Sequence, residues 1–341
     1  MFQDKYVFAQ LASFLNRSKF NRIVTKYDGD KYVKHFTCWN QLLALIFGQL
    51  SNRESLRDLI VALEAHHSKC YHLGMGKNVS KSSLARANQD RDYHIFEEYA
   101  YYLVSEARQK CANHIFKLGG NVYAFDSTTI DLCLSVFWWA KFRKKKGGIK
   151  VHTLYDVETQ IPAFFHITEA YVHDSKAMIK IPYKPGSYYI FDRGYNNFKM
   201  LYKIYQIQAN FVVRAKKDLQ YKSIKWKRRL PKNVLSDTGV LLIGFYPKQY
   251  YPKPLRLVKY WDEEQKREFI FITNATHISA LQVAELYKNR WQVELFFKWL
   301  KQHLKIKIFW GYYRECCSNT DICCNMRLLS GSNHSTRYAT G

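Results

Sequence analysis

Asp126 closes the apolar run VYAFD and is followed by the small polar residues Ser127 and Thr128, while Asp192 closes a second apolar run in YYIFDRGY. Aspartates at the ends of strands are a common way to hold a hard divalent ion such as Mg²⁺, which prefers carboxylate oxygen. Two such ions can stabilise the attacking and leaving oxygens of an in-line displacement at phosphorus. Taken singly, either aspartate reads equally as a turn former, since Asp is favoured there. A third acid, Glu294, lies in ALQVAELYKNRWQVELFFKWLKQHLKI, where Tyr287, Arg290, Glu294, Lys298 and Lys301 are spaced by three, four, four and three. On one helix that spacing puts all five on one face. A metal-binding carboxylate would then sit among cations suited to phosphates, Arg290 through paired hydrogen bonds and the lysines as point charges. The same pattern also describes a solvated face laced with Arg290–Glu294 and Glu294–Lys298 pairs.

The elements that would carry these residues change character along the chain. Apolar residues recurring at three and four predict helices over about Val7–Leu15, Trp39–Leu50, Ser55–His66 and Tyr93–Phe116. Within this helical region, KNVSKSSLARANQDRD offers Ser82 or Ser83 as the cap of a short helix carrying Arg86 and Arg91. That helix reads either as the reading helix of a helix-turn-helix or as an ordinary capped helix on a basic surface. After Gly119-Gly120, NVYAFDSTTIDL, IKVHTLYDV and IPAFFHITEA read as three consecutive strands. YYIFD, a helix-like FKMLYKIYQIQ and the strand NFVVRA then alternate as an α/β core requires. From about 216 to 274 the strand-like runs VLLIGFY, LRLVKYW and REFIFITN suggest a β-rich insertion, and one helix follows from about Ser279 to Leu304. No internal repeat or low-complexity segment is visible.

The chain has 341 residues, 47% of them hydrophobic, enough for two or three domains with a sizeable core. Its 53 Lys+Arg against 28 Asp+Glu give a formal charge of +25, which draws it toward polyanions. Nucleic acid is the first such partner to consider, with a ribosome or an anionic membrane as alternatives that charge alone does not exclude. The opening MFQDKYVFAQLASFLNRSKF interrupts its apolar residues too often for a signal segment. No stretch approaches the roughly 18 uninterrupted apolar residues of a membrane span. A cytoplasmic protein with no membrane partner is therefore expected, in which Cys38, Cys70, Cys111 and Cys133 are free thiols. The adjacent pairs Cys316-Cys317 and Cys323-Cys324 are poorly placed to meet one tetrahedral ion.

Taken together, the ordered set VYAFDSTTI, YIFDRGY and Y-x2-R-x3-E-x6-K resembles the bacterial insertion-sequence transposases of the DDE type. It resembles in particular the large family, insertion-sequence family four, whose third acid lies in a Tyr-Arg-Glu-Lys signature; here these are Tyr287, Arg290, Glu294 and Lys301. The similarity runs from the helical start through GGIKVHTLYD and HDSKAM to about Trp310, with 66 positions between the aspartates and 102 from Asp192 to Glu294. The resemblance implies an α/β fold: a ribonuclease-H-like mixed-sheet catalytic core over 119–310 with the β-rich insertion at about 216–274, preceded by an all-helical DNA-binding region over 1–118. It implies that Asp126, Asp192 and Glu294 bind Mg²⁺ or Mn²⁺, and that Tyr287, Arg290 and Lys301 contact DNA near the cleaved phosphate, with Lys298 on the same face. Such proteins cut the inverted-repeat ends of an element with an activated water and join the freed 3′-hydroxyls to a target duplex, without a covalent protein–DNA intermediate. A homodimer on DNA, associated with the nucleoid, is implied by the need to bring two ends together. Trp291 reads either as core or as a platform for an unpaired base, and the run Arg143, Lys144, Lys145, Lys146 as backbone contacts or solvated charge. Lys150, His152, His173 and Asp174 read as structural and stay outside the catalytic set.

After Phe309-Trp310-Gly311 the resemblance stops, and residues 311–341 show neither helical periodicity nor a plausible strand, where the family continues with an apolar helix. With codons chosen from those allowed, the frame advanced by one nucleotide can read an amphipathic to apolar helical sequence beginning TTENAVRTQIYAV. A frameshift near codon 311 is the expectation, and it would leave apolar core surface uncovered at about 1.5–3 kcal/mol per side chain. The alternatives to an active transposase are a defective derivative that binds element ends without cutting, and a structure-selective nuclease with no joining step.

Overall fold

A computed structural model of the chain describes residues 7–70, 75, 79–110, 116, 118–132, 141–143, 146–227 and 229–303. They fall into two compact units, one drawn from Met1–Cys111, Ile130–Ile149 and Lys298–Gly341, the other from Ala112–Thr129 and Lys150–Phe297. Lys144 and Lys145 lie outside the described residues, as do Cys111, Cys133, both adjacent cysteine pairs and the whole tail on which the frameshift expectation rests.

The first unit is helical, with α1 (Val7–Ala12), α2 (Arg17–Lys26), α3 (Cys38–Leu50), α4 (Leu56–Ala65), α5 (His67–Cys70), α6 (Lys81–Asp90) and α7 (His94–Lys110). Side chains of Asn16, Thr37, Ser55 and Ser80 cap α2, α3, α4 and α6 by accepting a backbone N–H of the first turn. The cap of α6 is thus Ser80, and Ser82 and Ser83 fall inside its first turn, because the Ser80 hydroxyl reaches the Ser83 N–H at 3.2 Å. α2 was not anticipated: RSKFNRIVTK offers few apolar residues, but Phe20, Ile23 and Val24 lie on one face and are buried. The Phe20 ring meets Trp39, Phe96 and Tyr99 edge-on or tilted. Arg91 is engaged within the helical unit. Its side chain is 9% exposed, faces Asp30 at 3.7 Å, and donates to Gln41 Oε1 at 2.8 Å and to the Phe36 carbonyl, tying the loop before α3 to the end of α6. Arg86 is exposed. Cys38 is a buried free thiol whose pKa burial pushes up to about 12.

The remaining elements are β1 (Val122–Leu132), β2 (Lys141–Arg143), β3 (Lys146–Asp156), β4 (Ile161–Glu169), α8 (Asp174–Ala177), β5 (Tyr188–Phe191), α9 (Phe198–Gln206) and β6 (Asn210–Arg214). There follow β7 (Tyr221–Trp226), β8 (Val234–Leu242), α10 (Phe245–Tyr250), β9 (Leu255–Asp262), β10 (Arg267–Thr273), α11 (Ala280–Asn289) and α12 (Trp291–His303). β2 pairs with the first residues of β3 inside the first unit. In the second unit the sheet runs β3-β1-β5-β6-β10-β9-β8-β7, with β4 also on β3. β1, β5 and β6 are parallel, whereas β10, β9, β8 and β7 follow antiparallel. This mixed sheet with its helices is a ribonuclease-H-like core, and the β-rich segment continues the sheet outward from β6.

Strand β5 is buried at every position, as a parallel strand covered on both faces must be, and its apolar residues are continuous for that reason. Tyr123, Phe125, Tyr189, Phe191, Leu201, Ile204, Phe211 and Val213 share one core, each large side chain stabilising by about 1.5–3 kcal/mol. The run VLLIGFY is not one strand. β8 ends at Leu242, and Gly244 leads into α10, whose first turn accepts Pro247 because its missing N–H would be unpaired there anyway. Among the described residues no helix is long and apolar enough to cross a membrane.

Candidate active site

One register places the two aspartates. Parallel pairing matches Phe125 with Phe191 and Phe191 with Val213, so the next residue on each strand is Asp126, Asp192 and Arg214. β5 ends at Phe191, and Asp192 opens a 3-10 turn over Arg193–Tyr195 without its side chain capping it. β1 runs past Asp126, as the reading of NVYAFDSTTIDL as a strand expected. It continues to Leu132 because Thr128, Thr129 and Ile130 are β-branched and sustain extended backbone.

The third acid arrives on a helix that is broken. α11 begins with a capping box in which Ser279 and Gln282 exchange hydrogen bonds, and it ends at Asn289. The Arg290 N–H bonds the Tyr287 carbonyl at 3.0 Å and the Val293 N–H bonds the Arg290 carbonyl at 3.1 Å, three-residue steps that tighten the backbone before α12. The expected single helix from Ser279 to Leu304, with five residues on one face, is therefore two helices jointed at Arg290. Tyr287 is buried against Phe269 and Phe271 and donates its hydroxyl to Asp192 Oδ1 at 2.8 Å. Arg290 donates Nη1 to Asp126 Oδ2 at 2.8 Å and Nη2 to Glu294 Oε1. With side-chain exposures of 12% for Arg290, 20% for Asp126 and 32% for Glu294, this is a half-buried bridge between two acids rather than a solvated pair.

Asp126 is held from its other side too. The Ser127 N–H donates to Oδ1 at 2.8 Å, and the Ser127 hydroxyl donates to Asp174 Oδ1 at 2.8 Å. Lys150 meets Asp174 at 3.1 Å and donates to the Val172 carbonyl at 2.9 Å. Asp174 and Lys150, read from the sequence as structural and outside the catalytic set, thus stand directly behind Asp126 and hold its neighbour Ser127. His152 and His173 keep structural roles: His152 bonds the Thr168 hydroxyl at 2.9 Å with its pKa pushed down to about 4 by burial, and His173 caps α8. Burial raises the Asp126 pKa to about 6, with Glu294 and Asp192 adding to the rise and Arg290 and the Ser127 N–H opposing it. Burial acts the same way on Asp192, but the Arg193 N–H, the Tyr287 hydroxyl, Arg290 and Arg214 outweigh it and hold that carboxylate below its usual range. The difference follows from which acid has the surplus of donors.

Beside Asp192 lies a cavity of 860 Å³ lined by Arg214, Phe269, Tyr287, Arg290 and Trp291 among others. Trp291 is 57% exposed, so it is not core, and its ring is available for stacking. Lys298 and Lys301 are exposed on the part of α12 that belongs to the first unit. Arg143 ends β2 and Lys146 begins β3.

Three carboxylates on three elements are a hard-oxygen donor set that fits Mg²⁺ or Mn²⁺ in type. Among the described residues no three acids, histidines or cysteines already form a metal cage, and Arg290 pairs with both Asp126 and Glu294.

Comparison with known proteins bears on this geometry. The transposase DDE domain family matches residues 117–309, and a domain of unknown function, DUF4372, matches residues 3–76. The chain is 35% identical over 235 residues to a putative transposase, y4zB, of Sinorhizobium fredii, covering 67% of this chain and 64% of that protein. It is 24% identical over 230 residues to a probable transposase for insertion sequence element IS5377 of Geobacillus stearothermophilus, covering 67% and 60%. It is 25% identical over 241 residues to a putative transposase for insertion sequence element IS4SA of a Synechocystis strain, covering 68% and 64%. The chain thus spans less than two thirds of the length of each of these relatives.

Proposed function

The chain belongs to the transposase DDE domain family, and on that premise we propose that it cuts the inverted-repeat ends of an insertion sequence and joins their 3′-hydroxyls to target DNA. The observation that carries this reading is the register that brings Asp126 and Asp192 together at the end of one parallel ladder, with Glu294 linked to Asp126 through a shared arginine. In this reading Asp126, Asp192 and Glu294 hold Mg²⁺ or Mn²⁺. Cations held there would supply water activation and charge stabilisation at phosphorus. The Tyr287 hydroxyl orients Asp192, and the Ser127 N–H orients Asp126. Arg290, Lys298 and Lys301 bind phosphates, Trp291 stacks on an unpaired base, and Arg143 through Lys146 follow the backbone. The helical region, 1–118, holds the ends, and two copies act together because two ends must be joined.

The test uses the full chain, Mg²⁺ and a duplex carrying the element's ends, with Glu294→Ala as the control. Cleavage followed by transfer of the 3′-end to a plasmid, both lost in Glu294→Ala, is the expected result. Binding without cleavage would sink the enzyme reading in favour of a defective end-binding derivative, and cleavage without transfer would make the protein a nuclease.

A further inference from the structure

Each oxygen of the Asp126 carboxylate accepts a hydrogen bond, Oδ1 from the Ser127 N–H and Oδ2 from Arg290 Nη1, each at 2.8 Å. The first donor cannot leave without moving β1, because it is backbone of the next residue and the Ser127 hydroxyl is anchored on Asp174. The second donor is the tip of a long side chain that also holds Glu294. A cation placed between Asp126 Oδ2 and Glu294 Oε1 would take the position that this guanidinium fills. Three features make Arg290 replaceable. It sits at the joint between α11 and α12 rather than inside a helix. Its Nε is buried without a hydrogen-bond partner among the described residues, so the present pose leaves one donor unsatisfied. It also lines the 860 Å³ cavity beside Asp192, which gives the side chain room to move into.

We infer that Arg290 is an internal stand-in for the metal: in the metal-free protein its guanidinium bridges Asp126 and Glu294, and uptake of a divalent cation displaces it toward the cavity, where it can meet a phosphate. The inference rests on the proposed reading of the three acids as metal ligands. It couples the two ligands of the site, because the arginine that a cation releases is the arginine that a phosphate recruits, so each should tighten the other.

The test is a Mn²⁺ titration of the full chain without DNA, following the electron paramagnetic resonance signal of the free ion, alongside melting temperatures with and without Mn²⁺. Arg290→Gln should bind Mn²⁺ about tenfold more tightly or better, since one positive charge a few ångströms from the dication is gone. It should also melt lower than the unsubstituted protein without metal and gain more on adding it. Arg290→Lys keeps the charge but cannot fork across both carboxylates, and should tighten Mn²⁺ binding to an intermediate degree. Equal or weaker Mn²⁺ binding in Arg290→Gln overturns the inference and makes Arg290 a builder of the metal site; if that variant does not fold, the same comparison in Arg290→Lys decides. Asp192→Asn and Glu294→Gln test the underlying reading separately: they should lose Mn²⁺ binding, and unchanged binding in both would remove the acids as ligands whatever Arg290 does.

Discussion

Asp126 owes its orientation to residues far away in the chain. Ser127 fixes one oxygen, Asp174 fixes Ser127, and Lys150 fixes Asp174. Residues that orient a metal-binding carboxylate typically matter by about 10–100-fold in metal affinity or activity. Asp174→Asn is therefore expected to weaken Mn²⁺ binding or slow cleavage within that range while leaving a folded protein, and titration and cleavage rates on the same preparation would check it. No change in either would reduce Asp174 to a loop anchor. At this scale the acids were legible in the sequence because each closes an apolar run or falls in a spaced signature. The Ser127–Asp174 bond was not, because it joins positions 47 apart and only the folded sheet brings them together. Arg290 was legible as a cation near a carboxylate, yet the partner that redefines its role, Asp126, lies 164 positions away.

Between elements, the outer strands depend on one buried charge pair. Arg256 on β9 makes a two-pronged contact with Asp237 on β8, at 2.7 and 2.8 Å, and donates to the Ala275 and Ile278 carbonyls at 3.1 and 2.6 Å. Both side chains are almost fully buried. Removing one partner strands a buried charge, so Asp237→Ala should cost about 3–5 kcal/mol of stability in urea unfolding. Burial pushes the Asp237 pKa up, but Arg256 and Lys227 outweigh it and leave the pKa depressed. A depressed carboxylate contributes stability that is present above the ordinary aspartate pKa, about 3.9, and is lost as pH falls through the lower folded value. Unfolding curves of the parent and Asp237→Asn should therefore differ at pH 7 and converge in strong acid; a constant difference would deny the pair that role. Elements with a continuous apolar run or a clear period, such as β5, β6, α3 and α9, could be read from sequence. α2 could not, since three apolar residues among charges give little periodicity, and neither could the joint at Arg290, which arises from backbone hydrogen bonds inside a run of good helix formers.

Across the whole molecule, the formal charge of +25 sets the terms of association. If six to ten phosphates are contacted, affinity for non-specific duplex should fall by about 10³–10⁵ between 50 and 200 mM salt, which fluorescence anisotropy would measure. A shallow salt dependence would mean that the basic residues are mostly solvated surface. The family match covers residues 117–309 and does not reach the tail, so the frameshift expected near codon 311 is a matter for the gene itself. The encoding gene should then carry, in the frame advanced by one nucleotide, an apolar helix after codon 311; its absence on sequencing would discard the frameshift. The central claim, that Asp126, Asp192 and Glu294 hold the divalent ion for cutting DNA, is tested most directly by cleavage assays on Asp192→Cys in Mg²⁺ and in Mn²⁺. A thiolate in place of a carboxylate selects against the harder ion. The expected result is cleavage lost in Mg²⁺ and substantially recovered in Mn²⁺, whereas equal activity with both ions, or Mg²⁺ activity matching the unsubstituted protein, would contradict the assignment.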